Sequence, residues 1–353
     1  MLKKLPILIF VFLIFRAEAQ IGGNKTYRFL DIPMTARAAA LGGNNMSIWD
    51  NDINLIYSNP ALLSPRMVKQ AAFNYCNYVG DLNFFSVAYA QDFKKKGTAA
   101  MSLQTFNYGN FVGYDALGNK TGNFKANDFS LNVNYAKSLA DSMFNVGLCL
   151  KTIVSQYEIY KSFGNAIDFG ITFHNKNNLV ISLVAKNVGF IWKSYSNLQS
   201  EREKLPQTVQ FGISKKVEKA PFKLFFVYDQ LLKWNLKYIS PIDTAGKQGT
   251  LNSGEIGKDS TNWQRFKVKT GGNLDNFMRH FTFGTEVVLT KNFHLRLAYN
   301  YRRQREMTLP ERRGANGLSF GFGLTIRRLA FSYSFTKMAF PGNSNIIGLT
   351  FKW

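Results

Sequence analysis

Five arginines crowd one short stretch, "YRRQREMTLPERRG" from Tyr301 to Gly314. A guanidinium is a rigid fork of donors that fits a phosphate or carboxylate better than an ammonium does. Arg302, Arg303, Arg305, Arg312 and Arg313 are therefore candidate contacts for a phosphorylated ligand or an acidic partner. The whole chain carries +22. Setting aside Lys3, Lys4 and Arg16 with Glu18, in a leader segment, leaves +20. Solvated loops and a wet interior are the alternative use of that charge.

Nothing else in the sequence is arranged for catalysis. The three histidines are His174, His280 and His294, and no His-x-x-x-His spacing or Gly-x-Ser-x-Gly elbow occurs. Runs such as "GFGLTI" do not open helices, so they are not phosphate loops; glycines there relieve crowding on a wall. The reading is a non-enzyme, with no catalytic, cofactor-binding or metal-ligating residue assigned and no cofactor. Cys76 and Cys149 are too few for a disulfide scaffold, and they fall on segments that should not be neighbours.

The elements that position these residues are strands. In "DFSLNVNY", Phe129, Leu131, Val133 and Tyr135 share one face and Asp128, Ser130, Asn132 and Asn134 the other. "AIDFGITF", "FHLRLAYNY" and "LSFGFGLTI" alternate in the same way. Aromatic residues are 15% of the chain, yet its mean hydropathy is −0.15. One face is greasy and the other wet. A soluble sandwich also alternates, but large aromatic faces opposed to Asn, Ser, Gly, Arg and Lys suit a membrane barrel with a polar lumen.

Fourteen segments are expected, near 68–79, 82–93, 97–111, 124–139, 142–158, 161–175, 178–188, 206–216, 221–232, 277–290, 292–304, 315–327, 328–339 and 343–353. Connections after even-numbered segments are tight. Those after odd-numbered ones are often long, notably 112–123, 189–205, 233–276 and 305–314. Short turns on one rim and long loops on the other mark an outer-membrane barrel, short side in the periplasm.

The two ends agree. Residues 1–19 have a basic start, an apolar run from Leu5 to Phe15 and the small-x-small pattern Ala17-Glu18-Ala19, which reads as a signal peptide with Gln20 as the mature start. The last residues, "NIIGLTFKW", alternate and finish on Trp353. They are expected to be a closing strand that zips against the first. Expected, then, is an all-β, transmembrane antiparallel β-barrel of about 14 strands. It comprises a signal peptide (1–19), an N-terminal plug or hatch (20–67) and the barrel (68–353) with a long extracellular loop (233–276). The N-terminal segment shows no alternation. It offers a small-residue helix from Thr35 to Leu41 stopped by Gly42-Gly43. Ala36, Ala38, Ala39 and Ala40 permit close packing, so it reads first as lumen filler and second as a hatch for a hydrophobic ligand. In an outer membrane, the phosphates facing the Arg302–Arg313 cluster would be those of lipopolysaccharide.

"TARAAALGGNN" (35–45), "DNDINLIYSNPALLSP" (50–65) and "DNFMRHFTFGTE" (275–286) resemble the PorV/PorQ family of outer-membrane barrels, and the start of the mature chain is closer to the PorQ branch. That resemblance implies a FadL-like barrel in a member of the Bacteroidota. It implies a non-catalytic subunit of the type IX secretion system attachment complex, which joins secreted cargo to anionic lipopolysaccharide. The implied partners are a PorZ-like surface protein, which the barrel would anchor, with PorU- and PorV-like subunits in the same complex. No catalytic residue carries over. A FadL-like channel for a hydrophobic small molecule is the alternative.

Overall fold

The structure, a computed structural model, describes residues 25–78, 82–139, 143–195, 203–237, 273–307, 315–337 and 342–353. The expected signal peptide (1–19), most of the expected 233–276 loop, Arg312 and Arg313 lie outside them.

Fourteen antiparallel strands form one closed barrel in which every strand pairs with its sequence neighbours and the last pairs with the first. They are β1 (Gln70–Asn77), β2 (Asn83–Asp92), β3 (Thr98–Tyr114), β4 (Lys120–Leu139), β5 (Phe144–Tyr157), β6 (Tyr160–His174), β7 (Leu179–Lys193), β8 (Thr208–Lys216), β9 (Phe222–Tyr228), β10 (Phe281–Val288), β11 (Phe293–Asn300), β12 (Leu318–Ile326), β13 (Leu329–Lys337) and β14 (Asn343–Lys352). The chain closes in unbroken register from Gln70 opposite Lys352 to Asn77 opposite Asn345. Closure leaves no strand edge to hydrogen-bond with lipid, which could not answer it. Among the described residues no helix is long and apolar enough to cross a membrane; the crossings are made by strands.

The two faces sort as the alternation requires. Phe129, Val133 and Tyr135 are exposed on β4, while Asp128, Ser130, Asn132 and Asn134 between them are buried. On β14, Ile347, Leu349, Phe351 and Trp353 point outward, whereas Ser344, Ile346 and Thr350 point in. The outward residues are exposed only to what surrounds the barrel, and their chemistry identifies it as hydrocarbon. Trp353 stacks on Tyr89 at 5.8 Å, at the rim where both termini of the barrel lie. The even-to-odd turns gather at this rim. One is Lys94–Gly97, where Gly97 has φ +117° and a Cβ would come within 2.7 Å of the Ala136 carbonyl.

Several boundaries move from those expected. β7 continues past Asn187 to Lys193 instead of ending near 188. Asn187 has φ 57° and sits at a register shift opposite Ile167–Phe169. This bulge breaks the period-two pattern and hides the last third of the strand. β11 stops at Asn300, not near 304, because the Asn300 side chain accepts a hydrogen bond from the Arg303 amide (3.0 Å) and starts a short helix, Tyr301–Glu306. β9 stops at Tyr228, and Gln230 has φ 58°. β3 and β4 run longer than expected, to 17 and 20 residues, against about 9–11 needed to span a bilayer. Their upper parts stand clear of the membrane on the long-loop side.

A charge on the lipid face should cost stability according to depth. Leu297, outward in mid-β11, replaced by Arg should destabilise the barrel by about 2–4 kcal/mol, and Leu329→Arg at the rim by about 0–1 kcal/mol. Urea unfolding in lipid vesicles measures both, and equal costs would contradict the lipid-facing assignment.

Candidate functional site: a charge cluster that locks a filled lumen

Residues 25–67 thread the barrel from its long-loop mouth to its short-turn rim. At the mouth, the Thr26 amide donates to the Lys204 carbonyl (2.9 Å) and the Tyr27 hydroxyl meets Ser162 Oγ. Lower down, Ser86 Oγ donates to the Met34 carbonyl (3.1 Å) and Asn74 Nδ2 donates to Asn54 Oδ1 (2.8 Å). Asn59 Nδ2 reaches Thr172 Oγ1 (2.9 Å), and Asn145 Nδ2 reaches the Leu63 carbonyl (3.0 Å). Several of the inward polar residues that the alternation demands are thus hydrogen-bonded to the chain's own N-terminal segment.

The segment follows local rules. Thr35 Oγ1 caps the helix Ala36–Ala40 by accepting from the Ala38 amide (3.1 Å). Gly42 and Gly43 end it with positive φ. Asp52 and Asn59 cap the next two turns in the same manner. Small residues let the segment lie against the wall. A Cβ on Gly147 of β5 would come within 2.3 Å of the Pro60–Ala61 backbone.

At the centre is a cluster of buried charges. Arg37, 5% exposed, reaches Asp50 and Asp52 of its own segment (2.9 and 3.0 Å) and Glu286 of β10 (3.0 Å). Glu286 is fully buried and is also held by Arg296 of β11 (2.9 Å) and Lys223 of β9 (3.3 Å). Lys223 extends to Asp50 as well (3.6 Å). Burial by itself would raise the Asp50 pKa; Arg37 and Lys223 outweigh it and hold the carboxyl at about 2. Three cations face three carboxylates, and one member, Arg37, comes from the plug helix. A second lumenal pair joins Lys151 to Asp168 (2.7 Å). Beside it is a polar cavity of about 60 Å³ lined by Ser102, Gln104, Asn132 and Lys186 among others. Pockets that enclose a small molecule are typically about 300–1,000 Å³.

The arginines of the 301–314 stretch divide. Arg302 turns toward Asp229 (3.6 Å) and lines the polar cavity. Arg303 donates to Ser319 Oγ (3.3 Å) and the Gly42 carbonyl (3.4 Å), against the plug. Arg305 is about half exposed, pairs with Asp275 (2.7 Å) and lies over the Tyr301 ring. Arg312 and Arg313 lie outside the described residues. His174 stacks on Trp49 at 4.0 Å. His280 spans the Asp229 and Trp234 carbonyls. His294 faces the lumen beside the cluster. Cys76 and Cys149 are free and buried, on β1 and β5. Among the described residues, no group of three or more His, Cys, Asp or Glu could hold a metal ion.

The cluster residues were not singled out from sequence as a site. The signal was there: Glu286 and Arg296 are charges on the inward face of period-two strands, where each needs a partner.

No protein-family model and no curated protein matches the chain. Solved outer-membrane barrels do match its shape. A mutant of the TodX monoaromatic hydrocarbon channel aligns with a TM-score of 0.51 at 10% identity, over 90% of this chain and 99% of that one. The toluene transporter TbuX of Ralstonia pickettii aligns at 0.49 and 10% identity, over 94% and 100%. A FadL homologue of Pseudomonas aeruginosa aligns at 0.46 and 9% identity, over 90% and 97%. At such identity the likeness concerns the fold alone. The fold is a closed fourteen-strand outer-membrane barrel of the FadL-like kind.

Removing Arg37 leaves Glu286, Asp50 and Asp52 with one cation fewer. Arg37→Met should cost about 3–5 kcal/mol, the penalty for orphaning a buried charge, and Glu286→Gln in the same chain should recover part of it in a double-mutant cycle. Additivity would mean the pair does not couple. The acid limb follows from Asp50. Its pKa is depressed in the folded state, so its contribution is complete above about pH 4 and drains as pH falls toward about 2. The unfolding midpoint of Asp50→Asn should show a shallower fall across that window than the parent protein.

Proposed function

We propose that this protein is a non-catalytic outer-membrane barrel that anchors a surface protein. The observation that carries this reading is the filled lumen. The segment 25–67 is hydrogen-bonded to strands around the barrel and ion-paired to β10 through Arg37 and Glu286. A lumen held in this way is a poor conduit and a rigid support. The parts free to act are the extensions on the long-loop side, where β3 to β7 reach 14–20 residues. Recognition on a barrel usually resides in such extensions.

The finer reading is a PorQ-like subunit of the type IX attachment complex, holding a PorZ-like protein beside PorU- and PorV-like subunits. It is supported by the three stretches that resemble the family. Their residues converge in the folded chain: Arg37 belongs to the first, Asp50 and Asp52 to the second, and Glu286 to the third. A resemblance whose separate pieces meet in one buried cluster concerns the assembly of the plug and not merely barrel composition. Arg305, with Arg312 and Arg313, remains the proposed outer contact for lipopolysaccharide or the partner.

A hydrophobic channel is the second reading, favoured by the fold shared with the TodX channel. The two separate in one preparation. The tagged barrel, purified from its native outer membrane in mild detergent, should retain a stoichiometric surface protein that is lost when residues 233–276 are shortened. In planar bilayers it should be closed, with conductance appearing only when Arg37 is replaced. A barrel recovered alone with a bound acyl or aromatic molecule, and open without mutation, would establish the channel.

A further inference from the structure

The outward face of the barrel carries a line of amides that neither the plug nor the loops explain. Sheet register places Asn345 of β14 opposite Asn77 of β1. Asn77 lies opposite Asn83 of β2, and Asn83 opposite Asn107 of β3. Asn107 faces Asn127 of β4. Asn127 faces Gln156 of β5, which faces Lys161 of β6. Six amides and one cation thus lie side by side across seven consecutive strands, all on the outward face. Some touch laterally: Asn77 Nδ2 donates to Asn83 Oδ1 (3.2 Å), as does the Tyr75 hydroxyl (2.8 Å), and the Tyr333 hydroxyl donates to Asn345 Oδ1 (2.8 Å).

One step toward the periplasm, the same register gives Ile347, Tyr75, Phe85, Thr105, Phe129, Val154 and Phe163. Six of these seven are apolar or aromatic. Along this register line the outward surface changes from greasy to amide, and aromatic side chains return beyond it at Phe111, Tyr114 and Tyr160. Strands in a barrel tilt, so the line runs obliquely to the barrel axis, on the long-loop side of the apolar line. Charge follows it. Lys125 is exposed one outward step above Asn127, and Lys337 pairs with Asn343 one step above Asn345. No carboxylate lies in the line; Glu158 sits at the β5–β6 turn beyond it.

We propose that this strip binds a phosphorylated glycolipid of the outer leaflet, its acyl chains on the apolar line and its sugars on the amides. Each amide offers a donor and an acceptor, which matches sugar hydroxyls. Lys125, Lys161 and Lys337 supply the counter-charge for phosphate. A phospholipid headgroup presents far fewer hydroxyls than a sugar chain to such a row of amides. The proposal depends on the outer-membrane location alone and stands or falls separately from the anchoring role.

The test is retention of glycolipid by purified barrel. Wild-type protein and a variant with Asn83→Ala, Asn107→Ala, Asn127→Ala, Lys125→Gln and Lys161→Gln are placed in nanodiscs containing lipopolysaccharide and excess phosphatidylglycerol. Bound lipid is counted by native mass spectrometry. All five side chains face outward, and heat-modifiable gel mobility checks that the variant is folded. The wild type should retain lipopolysaccharide selectively, and the folded variant should retain at least tenfold less. Equal retention by both proteins, or equal uptake of phosphatidylglycerol by the wild type, overturns the proposal. So does photocrosslinking from position 107 in the native membrane that yields a protein adduct and no glycolipid. Should the fivefold variant not fold, Asn107→Ala with Lys125→Gln alone must still lower retention.

Discussion

A carboxylate buried in a barrel wall must have cations, and part of what neutralises Glu286 is not on the wall. Arg296 and Lys223 come from the adjacent strands, but Arg37 comes from a helix nearly 250 positions earlier in the chain. Arg37 is in turn tied to Asp50 and Asp52, so the plug cannot leave without exposing or orphaning charge on both sides. Taking such ions out of water costs several kcal/mol each and is tolerated only with close partners. The cluster is therefore best understood as a device for fixing one position of the segment. Apolar contacts alone would allow the segment to slide along a lumen lined by interchangeable Asn, Ser and Thr.

Much of the wall was legible in the sequence, because a strand side chain has two choices and the bilayer penalises the wrong one. Strand number, closure by the C-terminal segment and the tight even-to-odd connections follow from that, but the long connection expected at 112–123 is a five-residue turn (115–119) between two extended strands. Legibility failed where backbone geometry departs from period two. The bulge at Asn187 hides the last third of β7, and the cap at Asn300 ends β11 where the apolar pattern would continue it. The helix at Ala36–Ala40 was legible from its alanines and the two glycines that stop it. Its ion partners were not, because pairing between residues 37 and 286 depends on barrel closure, a long-range fact with no local signature. Of the five arginines, spacing revealed a cluster but not its division: the helix turn sends Arg303 to the plug, Arg302 to the lumen and Arg305 outward.

The asymmetry of the barrel has the same origin as its two faces. From β8 to β13 the strands are 7–9 residues long, and from β3 to β7 they are 14–20. The long side carries outward amides and lysines above its apolar line. The short side has at its mouth the helix Tyr301–Glu306 and the aromatic packing of Tyr228, Trp234, Phe277 and His280. A wall raised on one side would serve the proposed support for a second protein, because it restricts both approach and rotation.

Sealing and anchoring are physically linked. A binding surface on loops is only as rigid as the wall beneath it, and a barrel with a polar, water-filled lumen can flex in cross-section. Filling the lumen with a hydrogen-bonded segment couples opposite strands: Asn59 joins β6 to the plug, Asn54 joins β14 and β1, and Arg37 joins β10. Each link restrains a different part of the circumference. The same links would have to break for a ligand to pass, and breaking the central one would orphan buried charge on both partners. A channel built on this plan would need a second, equally satisfied arrangement for Arg37 and Glu286. The neighbouring cations, Arg296 and Lys223, are already engaged with the same carboxylates. The electrostatics thus favour one state of the lumen, as the proposed support requires.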